Sequence, residues 1–337
     1  MNIRRLKTIL AYPLKRYGTC MVAVTNRCNA RCGFCSIPLQ PYNGATPPGL
    51  FEQAIDKLYD LGVRYIQFTG GEPLLYQYLT RVVKYTGELG ILMTVVTNGS
   101  LLDEKRARAL AESGVQEVSI SVDHYHSGVF ERNRGIPSLG DKIAEGVQHL
   151  RANGLPAQAS TTVSKLLDLE AGDYLKLIQH NQRLGFDGTY FCYPMTDMRS
   201  NYALGGEIVE FEKDELAEII TYIKALKRQG YPIDNSYETL DAVLAFLDGK
   251  PSRYPCVAGY KIFYLDWCLN LYDCMTKGNL IGPILELDTE GLDLQRVECE
   301  QCILSCDREP SIYQHGLRSV IPFFPLVRDT FRRRVPF

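Results

Sequence analysis

Apolar and polar positions along the chain follow a repeating rhythm. A short run of β-branched and aromatic residues is followed by a longer segment whose apolar positions recur every three or four residues. The strand-like runs are Cys20–Thr25, Tyr65–Phe68, Leu92–Thr97, Glu117–Val122, Ala157–Val163 and Thr189–Tyr193. Between them, the sets Phe51, Ile55, Leu58, Leu61 and Leu79, Val82, Val83, Leu89 predict helices, and Pro47-Pro48 leads into the first. Further helices are predicted over Asp103–Ser113, with Asp103 as N-cap, over Asp141–Asn153 and over Asp173–Leu184. Strands alternating with helices predict a parallel sheet with helices outside, because parallel neighbours need long crossovers. In such sheets ligands bind at the carboxyl ends of the strands. Residues 196–212 read as a loop over that mouth, and Lys213–Gln229 and Glu238–Leu247 as two more helices.

Composition narrows the function classes. A 337-residue chain with 45% hydrophobic residues buries an ordinary core, and a formal net charge of −2 argues against sequence-independent nucleic-acid binding, so no nucleic-acid partner is expected. No run of about 18 apolar residues occurs and the N-terminus lacks a secretory apolar region, which points to a cytoplasmic protein. Eleven cysteines then call for another explanation than a disulfide framework. Three lie in one loop, Cys28-Asn29-Ala30-Arg31-Cys32-Gly33-Phe34-Cys35, directly after the first strand, and six lie between Cys256 and Cys306. Three close thiolates hold three irons of a [4Fe–4S] cluster and leave the fourth iron open. The alternative, structural zinc, asks for a fourth ligand that this loop lacks.

The spacing CxxxCxxC with Phe34 before the last cysteine resembles the radical S-adenosylmethionine (SAM) superfamily. Thr69-Gly70-Gly71-Glu72-Pro73, at the end of the second strand, is similar to that family's GGEP element. The resemblance implies a partial (β/α)6 barrel in which Cys28, Cys32 and Cys35 bind the cluster. The open iron would chelate SAM, which is cleaved reductively to a 5′-deoxyadenosyl radical. It also implies that Phe34, Gly70, Gly71 and Glu72 belong to the cofactor site, with Glu72 accepting from the SAM amino group. Ser121 and Asp123, which end the fourth strand, match positions that face the SAM ribose and carboxylate in many members. Reduced flavodoxin or ferredoxin is the implied electron donor. Three candidates for substrate chemistry lie at other strand ends: Cys192 as a thiol hydrogen donor, and His124 and His126 just past Asp123. Each has a plainer reading, as a small buried residue or as loop histidines.

A second metal centre is expected in the C-terminal region. Alternation around Asp266-Trp267 predicts a hairpin that brings Cys256 and Cys274 to its base, and Cys299-Glu300-Gln301-Cys302 adds a CxxC pair. Four such thiolates suit zinc or iron equally. Resemblance to the twitch and SPASM extensions of radical SAM enzymes favours an auxiliary [4Fe–4S] cluster on Cys256, Cys274, Cys299 and Cys302. Cys306 is the substitute ligand and Cys268 a free thiol or further catalytic candidate. A full SPASM extension has seven cysteines and two clusters, whereas six here suit one. The expected organisation is a basic amphipathic segment at 1–19, the partial barrel at 20–232, a helical linker at 233–255, the auxiliary domain at 256–310 and a basic, aromatic tail at 311–337. The two basic ends suggest peripheral contact with an anionic membrane or lipid. The expected function is hydrogen abstraction from a small-molecule, peptide or lipid substrate carbon, giving oxidation, epimerisation or C–H functionalisation in biosynthesis. The rival is a non-catalytic iron–sulfur protein for electron transfer or scaffolding.

Overall fold

The computed structural model describes residues 18–42, 44–194, 206–276, 278–292, 294, 299, 302–313 and 315. Most of the basic N-terminal segment, much of the 196–212 loop and most of the tail lie outside them. Nine strands form one sheet in the order β6-β5-β4-β3-β2-β1-β7-β8-β9. Strands β1 (Gly18–Ala23), β2 (Val63–Thr69), β3 (Leu92–Thr97), β4 (Glu117–Ser121), β5 (Ala157–Thr162) and β6 (Gly188–Cys192) pair in parallel. The intervening helices are α1 (Pro48–Asp60), α2 (Leu79–Glu88), α3 (Glu104–Ser113), α4 (Ser127–Arg134), α5 (Leu139–Ala152) and α6 (Asp173–Leu184). This is the parallel α/β architecture of a partial barrel.

Strand periodicity sorts the two faces. Ile66, Phe68, Val95, Val118, Ile120 and Phe191 point outward and are fully buried under the helices. All of these helices but α4 meet them with one apolar stripe: α1 contributes Phe51, Ala54, Ile55 and Leu58, worth about 1.5–3 kcal/mol for each large side chain buried. Asp103 caps α3, its Oδ1 accepting from the Arg106 N–H at 2.7 Å, a contribution of about 1 kcal/mol. The inward positions are mostly polar, and Gln67, Ser121, Gln158, Ser160, Thr162 and Cys192 are only half-buried. A sheet with one dry face and one polar, accessible face encloses a chamber.

Beyond β6 come α7 (Lys213–Arg228) and α8 (Tyr237–Leu247), and then the hairpin β7 (Ile262–Leu265) and β8 (Asn270–Tyr272), with β9 (Leu280–Pro283) beside it. Strand β7 pairs in parallel with β1, so the cysteine-bearing hairpin continues the barrel's own sheet. Helix α9 (Ser305–Tyr313) bonds both to the β6 side of the sheet and to the segment that precedes β7. Its Glu309 accepts from Tyr190 Oη at 3.4 Å and from the Ser236 N–H at 3.0 Å. On the other side its Ser311 hydroxyl accepts from the Val257 N–H at 3.2 Å.

Candidate active site

The three-cysteine loop leaves β1 at the carboxyl end of the sheet and is held there by backbone pairing with the turn after β2. The Gly71 N–H donates to the Thr25 carbonyl at 2.7 Å and the Glu72 N–H to the Arg27 carbonyl at 2.7 Å. A side chain on Gly70 or Gly71 would strike those same carbonyls, and Gly70 sits at φ +142. Both glycines are therefore demanded by the close approach of two backbone segments of this protein.

Glu72 is fully buried and its carboxylate ties its own turn to the end of β3. Oε1 accepts from the Leu74 N–H at 3.0 Å and Thr97 Oγ1 at 2.7 Å, and Oε2 from the Asn98 N–H at 2.7 Å. Burial pushes its carboxyl up, and these bonds oppose the shift. The web continues into the cysteine loop: Asn98 Nδ2 donates to Asn29 Oδ1 at 2.8 Å, and Asn29 Nδ2 to Ser100 Oγ at 2.9 Å.

A second buried carboxylate braces the loop from the opposite side. Asp123 accepts two bonds from Arg134, Nε at 2.7 Å and Nη2 at 2.8 Å, and a third from Asn133 Nδ2 at 3.1 Å. The Arg31 N–H donates to the Arg134 carbonyl at 2.8 Å and the Gly33 N–H to Asn133 Oδ1 at 3.4 Å, so the last turn of α4 grips the loop between the cysteines. Burial disfavours the Arg134 charge, but Asp123 and the thiols of Cys32 and Cys28 outweigh it and the guanidinium stays protonated. Ser121, one turn of the strand below, stays half-buried on the inner face.

The cysteines share one electrostatic environment. Burial pushes the Cys28 thiol up to about 12, with Glu72, Cys32 and Cys35 adding to the rise. Burial also raises Cys32 and Cys35, and Arg134 counteracts it in both. A bound metal reverses this balance, since coordinating thiols lose their protons. Phe34 is buried between them in sequence.

The other candidates are dispersed. His124 is buried against the start of α6: its Nδ1 accepts from the His126 N–H at 2.8 Å, its Nε2 lies 3.8 Å from Asp173, and its ring stacks on Tyr125. Burial lowers its pKa, with Asp173 opposing. His126 occupies the N-cap position of α4. Cys192 ends β6 on the inner face, 3.4 Å from Ser160 Oγ. Cys268 is exposed in the β7–β8 turn, its N–H donating to Asp266 Oδ1 at 2.9 Å.

Cys256, Cys274, Cys302 and Cys306 gather around α9. Cys256 and Cys274 pack together with Ala258, while Cys302 and Cys306 join Met21, Tyr264, Met275 and Leu304. Burial raises the Cys302 thiol, reinforced by Asp307 and Cys256. Arg308 Nε donates to the Cys302 carbonyl at 2.8 Å, and the Ser311 hydroxyl lies 3.8 Å from Cys256 Sγ. Asp307 accepts from Thr276 Oγ1 at 2.8 Å through Oδ2, whereas among the described residues its buried Oδ1 has no hydrogen-bond partner. Burial pushes its carboxyl up to about 6. Cys299 is half-buried. Among the described residues, no three His, Cys, Asp or Glu side chains form a group that could hold a single metal ion.

Residues 22–178 match the family model described as the radical SAM superfamily. This region is a radical SAM domain. That superfamily uses a [4Fe–4S] cluster and SAM, and the donor set fits both: three mutually coupled thiols in one loop, with a cationic Arg134 alongside and a glycine turn pressed against the backbone. Over 144 residues the chain is 31% identical to an AdoMet-dependent heme synthase of Nitratidesulfovibrio vulgaris, covering 42% of this chain and 39% of that protein. It is 27% identical over 285 residues to a GTP 3′,8-cyclase of Sulfurimonas denitrificans, covering 79% and 80%. The chain thus spans less than half the length of several curated relatives it matches. Among solved structures, Streptococcus suis SuiB bound to S-adenosylmethionine superposes with TM-score 0.64 at 15% identity, over 81% of this chain and 65% of that one. Native anSMEcpe with bound AdoMet superposes with TM-score 0.61 at 15% identity, over 89% and 84%. These are likenesses of fold, and they reach past the family match into the C-terminal region.

Residues that sequence reading overlooked are Asn133, Arg134 and Asp307. The signal for the first two was Asn133-Arg134-Gly135, a helix end with a glycine in the left-handed region at φ +66.

Proposed function

We propose that the protein is a radical SAM enzyme that cleaves SAM reductively and abstracts a hydrogen atom from a substrate carbon inside the barrel. The observation that carries this reading is convergence at one end of the sheet. The three-cysteine loop, the Gly70-Gly71-Glu72 turn and the Asp123–Arg134 pair meet above a polar inner face. An electron carrier needs no such chamber. When bound, the cluster and SAM supply a 5′-deoxyadenosyl radical.

The chain's own residues fix the geometry. Cys28, Cys32 and Cys35 hold the cluster from a loop that the Glu72 and Asp123 webs keep in one conformation. Because its carboxylate is spent on Thr97, Asn98 and Leu74, Glu72 acts by shaping the turn that meets SAM. Asp123 orients Arg134, which offsets thiolate charge beside Cys32. Ser121 remains on the accessible face, where it reaches SAM. The C-terminal cysteines, with Cys256, Cys274, Cys299 and Cys302 as ligands, hold an auxiliary cluster against the barrel's side, placed for electron exchange with the chamber. Reduced flavodoxin or ferredoxin supplies the electrons for SAM cleavage. Among the described residues no helix is long and apolar enough to cross a membrane.

The GTP chemistry named for some relatives finds no support in the inner wall. At inward positions of β1–β6 the one charged side chain is Glu117, and a triphosphate would meet no cation there. The test is 5′-deoxyadenosine release from SAM under a strong reductant. The wild type should release it and the Cys28→Ala/Cys32→Ala/Cys35→Ala variant should not; equal release from both would refute the assignment.

A further inference from the structure

Resting on the radical SAM reading, we infer that the substrate group brought to the radical is neutral and hydroxyl-bearing, and that Gln67 and Ser160 are its specificity-determining residues. The inner face of β2–β6 is accessible yet enclosed. Tyr65 and Cys192 on that face are half-buried. Gln67, Ser121, Ser160 and Thr162 share this inner face and are half-buried, so what binds there must replace water's hydrogen bonds.

Away from Glu117 at the start of β4, the inward side chains of β2–β6 are neutral and amphoteric. Ser121 stands in register with Ser160, and Ser160 with Tyr190, while Thr162 is paired with Cys192. Gln67 is in register with Thr94, whose hydroxyl shares a 2.8 Å bond with Tyr65 Oη. Deeper in the wall, Ser119 donates to Gln158 Oε1 at 3.3 Å and Gln158 Nε2 to Asp234 at 2.9 Å. Among the described residues, by contrast, the amide of Gln67 and the hydroxyl of Thr162 have no protein partner, although both side chains are half-buried. Ser160 has only the weak contact with the Cys192 thiol.

A hydrocarbon placed here would strand these groups, at about 1–3 kcal/mol each. A phosphate or carboxylate would meet no cation at the inward positions of β1–β6. A hydroxyl, donor and acceptor at once, satisfies serine, threonine and glutamine alike.

The test uses the anaerobic holoenzyme with SAM, reductant and a perdeuterated extract of the protein's own source. The extract is split into an organic-soluble fraction, a fraction held by anion exchanger, a small neutral polar fraction and a peptide-sized fraction. Hydrogen abstraction moves one deuterium from substrate carbon to 5′-deoxyadenosine, which mass spectrometry reads. Deuterium should come from the small neutral polar fraction. Transfer chiefly from the lipid, anionic or peptide-sized fraction, or from none, would overturn the inference. Absence of any deoxyadenosine would instead overturn the radical SAM reading beneath it.

In the productive fraction, Gln67→Leu and Ser160→Ala should each lower deuterium per deoxyadenosine about tenfold, as loss of one buried hydrogen bond implies. Ser160→Thr, which keeps the hydroxyl, should retain the ratio within about threefold and so controls for folding. Unchanged coupling in both Gln67→Leu and Ser160→Ala would also overturn the inference.

Discussion

The two cysteine-bearing regions are held in opposite ways. The first loop is short and continuous, and its fold rests on backbone bonds and two buried carboxylates at the ends of β2 and β4. The C-terminal cysteines are spread over a hairpin base, an irregular segment and α9, and Cys256, Cys274, Cys302 and Cys306 are brought near α9 because β7 pairs with β1 and α9 bonds to β6 and to the segment before β7. A local motif can be recognised from spacing alone. A centre assembled from distant segments depends on the whole sheet.

That contrast predicts separable losses. The largest effect should be on metal content: replacing Cys28, Cys32 and Cys35 with Ala should remove about four of about eight irons and leave the C-terminal centre loaded. The Cys256→Ala/Cys274→Ala variant should lose the other half. Iron and sulfide analysis checks both, and loss of all iron from either variant would show that the regions are not independent. About four irons and one zinc in the wild type would make the C-terminal centre a structural clip.

Next in size is the buried pair under the first loop. Arg134→Met leaves Asp123 buried without its counter-charge and should cost about 3–5 kcal/mol in chemical unfolding. Removing both charges, as Asp123→Leu/Arg134→Met, should recover most of that stability but not the loop geometry or SAM cleavage. A single variant as stable as wild type would mean that the pair does not brace the loop.

Glu72→Gln should cost about 1–3 kcal/mol, since an amide cannot accept at both of the positions where Leu74, Thr97 and Asn98 donate. SAM affinity, followed by equilibrium dialysis, should weaken along with stability. Weakened affinity at unchanged stability would point to direct contact between the carboxylate and SAM.

The smallest effect concerns His124. Its pKa is lowered on folding, chiefly by burial, so the folded state binds fewer protons than the unfolded chain near the ordinary histidine pKa. Its contribution is therefore complete above about pH 6.5 and is lost as pH falls below it. Melting temperatures should drop more between about pH 7.5 and 5.5 in the wild type than in His124→Gln. Equal slopes would show that its neutral ring is not needed at the start of α6.

Much of the barrel was legible beforehand. β3 and α6 begin and end where the hydrophobic pattern placed them, and Asp103 caps α3 as expected. The pattern missed α4, an eight-residue helix with only Phe130 and Arg134 buried, because one apolar anchor makes no period. It also missed α9, which carries Pro310 inside it. The cysteine loop and the glycine turn were visible as motifs. Their mutual bracing was not: the bonds from Glu72 reach β3 and those from Asp123 reach α4, across separations that local spacing does not encode. Asp123 itself, expected at the SAM ribose or carboxylate, has its oxygens taken by Arg134 and Asn133.

The most direct test of the account is electron–nuclear double resonance on the reduced Cys256→Ala/Cys274→Ala variant, in which only the first loop carries a cluster, mixed with SAM labelled at its amino nitrogen and carboxylate. The account predicts hyperfine coupling of both labels to the cluster, as an iron left open by Cys28, Cys32 and Cys35 requires. A fully formed cluster showing neither coupling would contradict it.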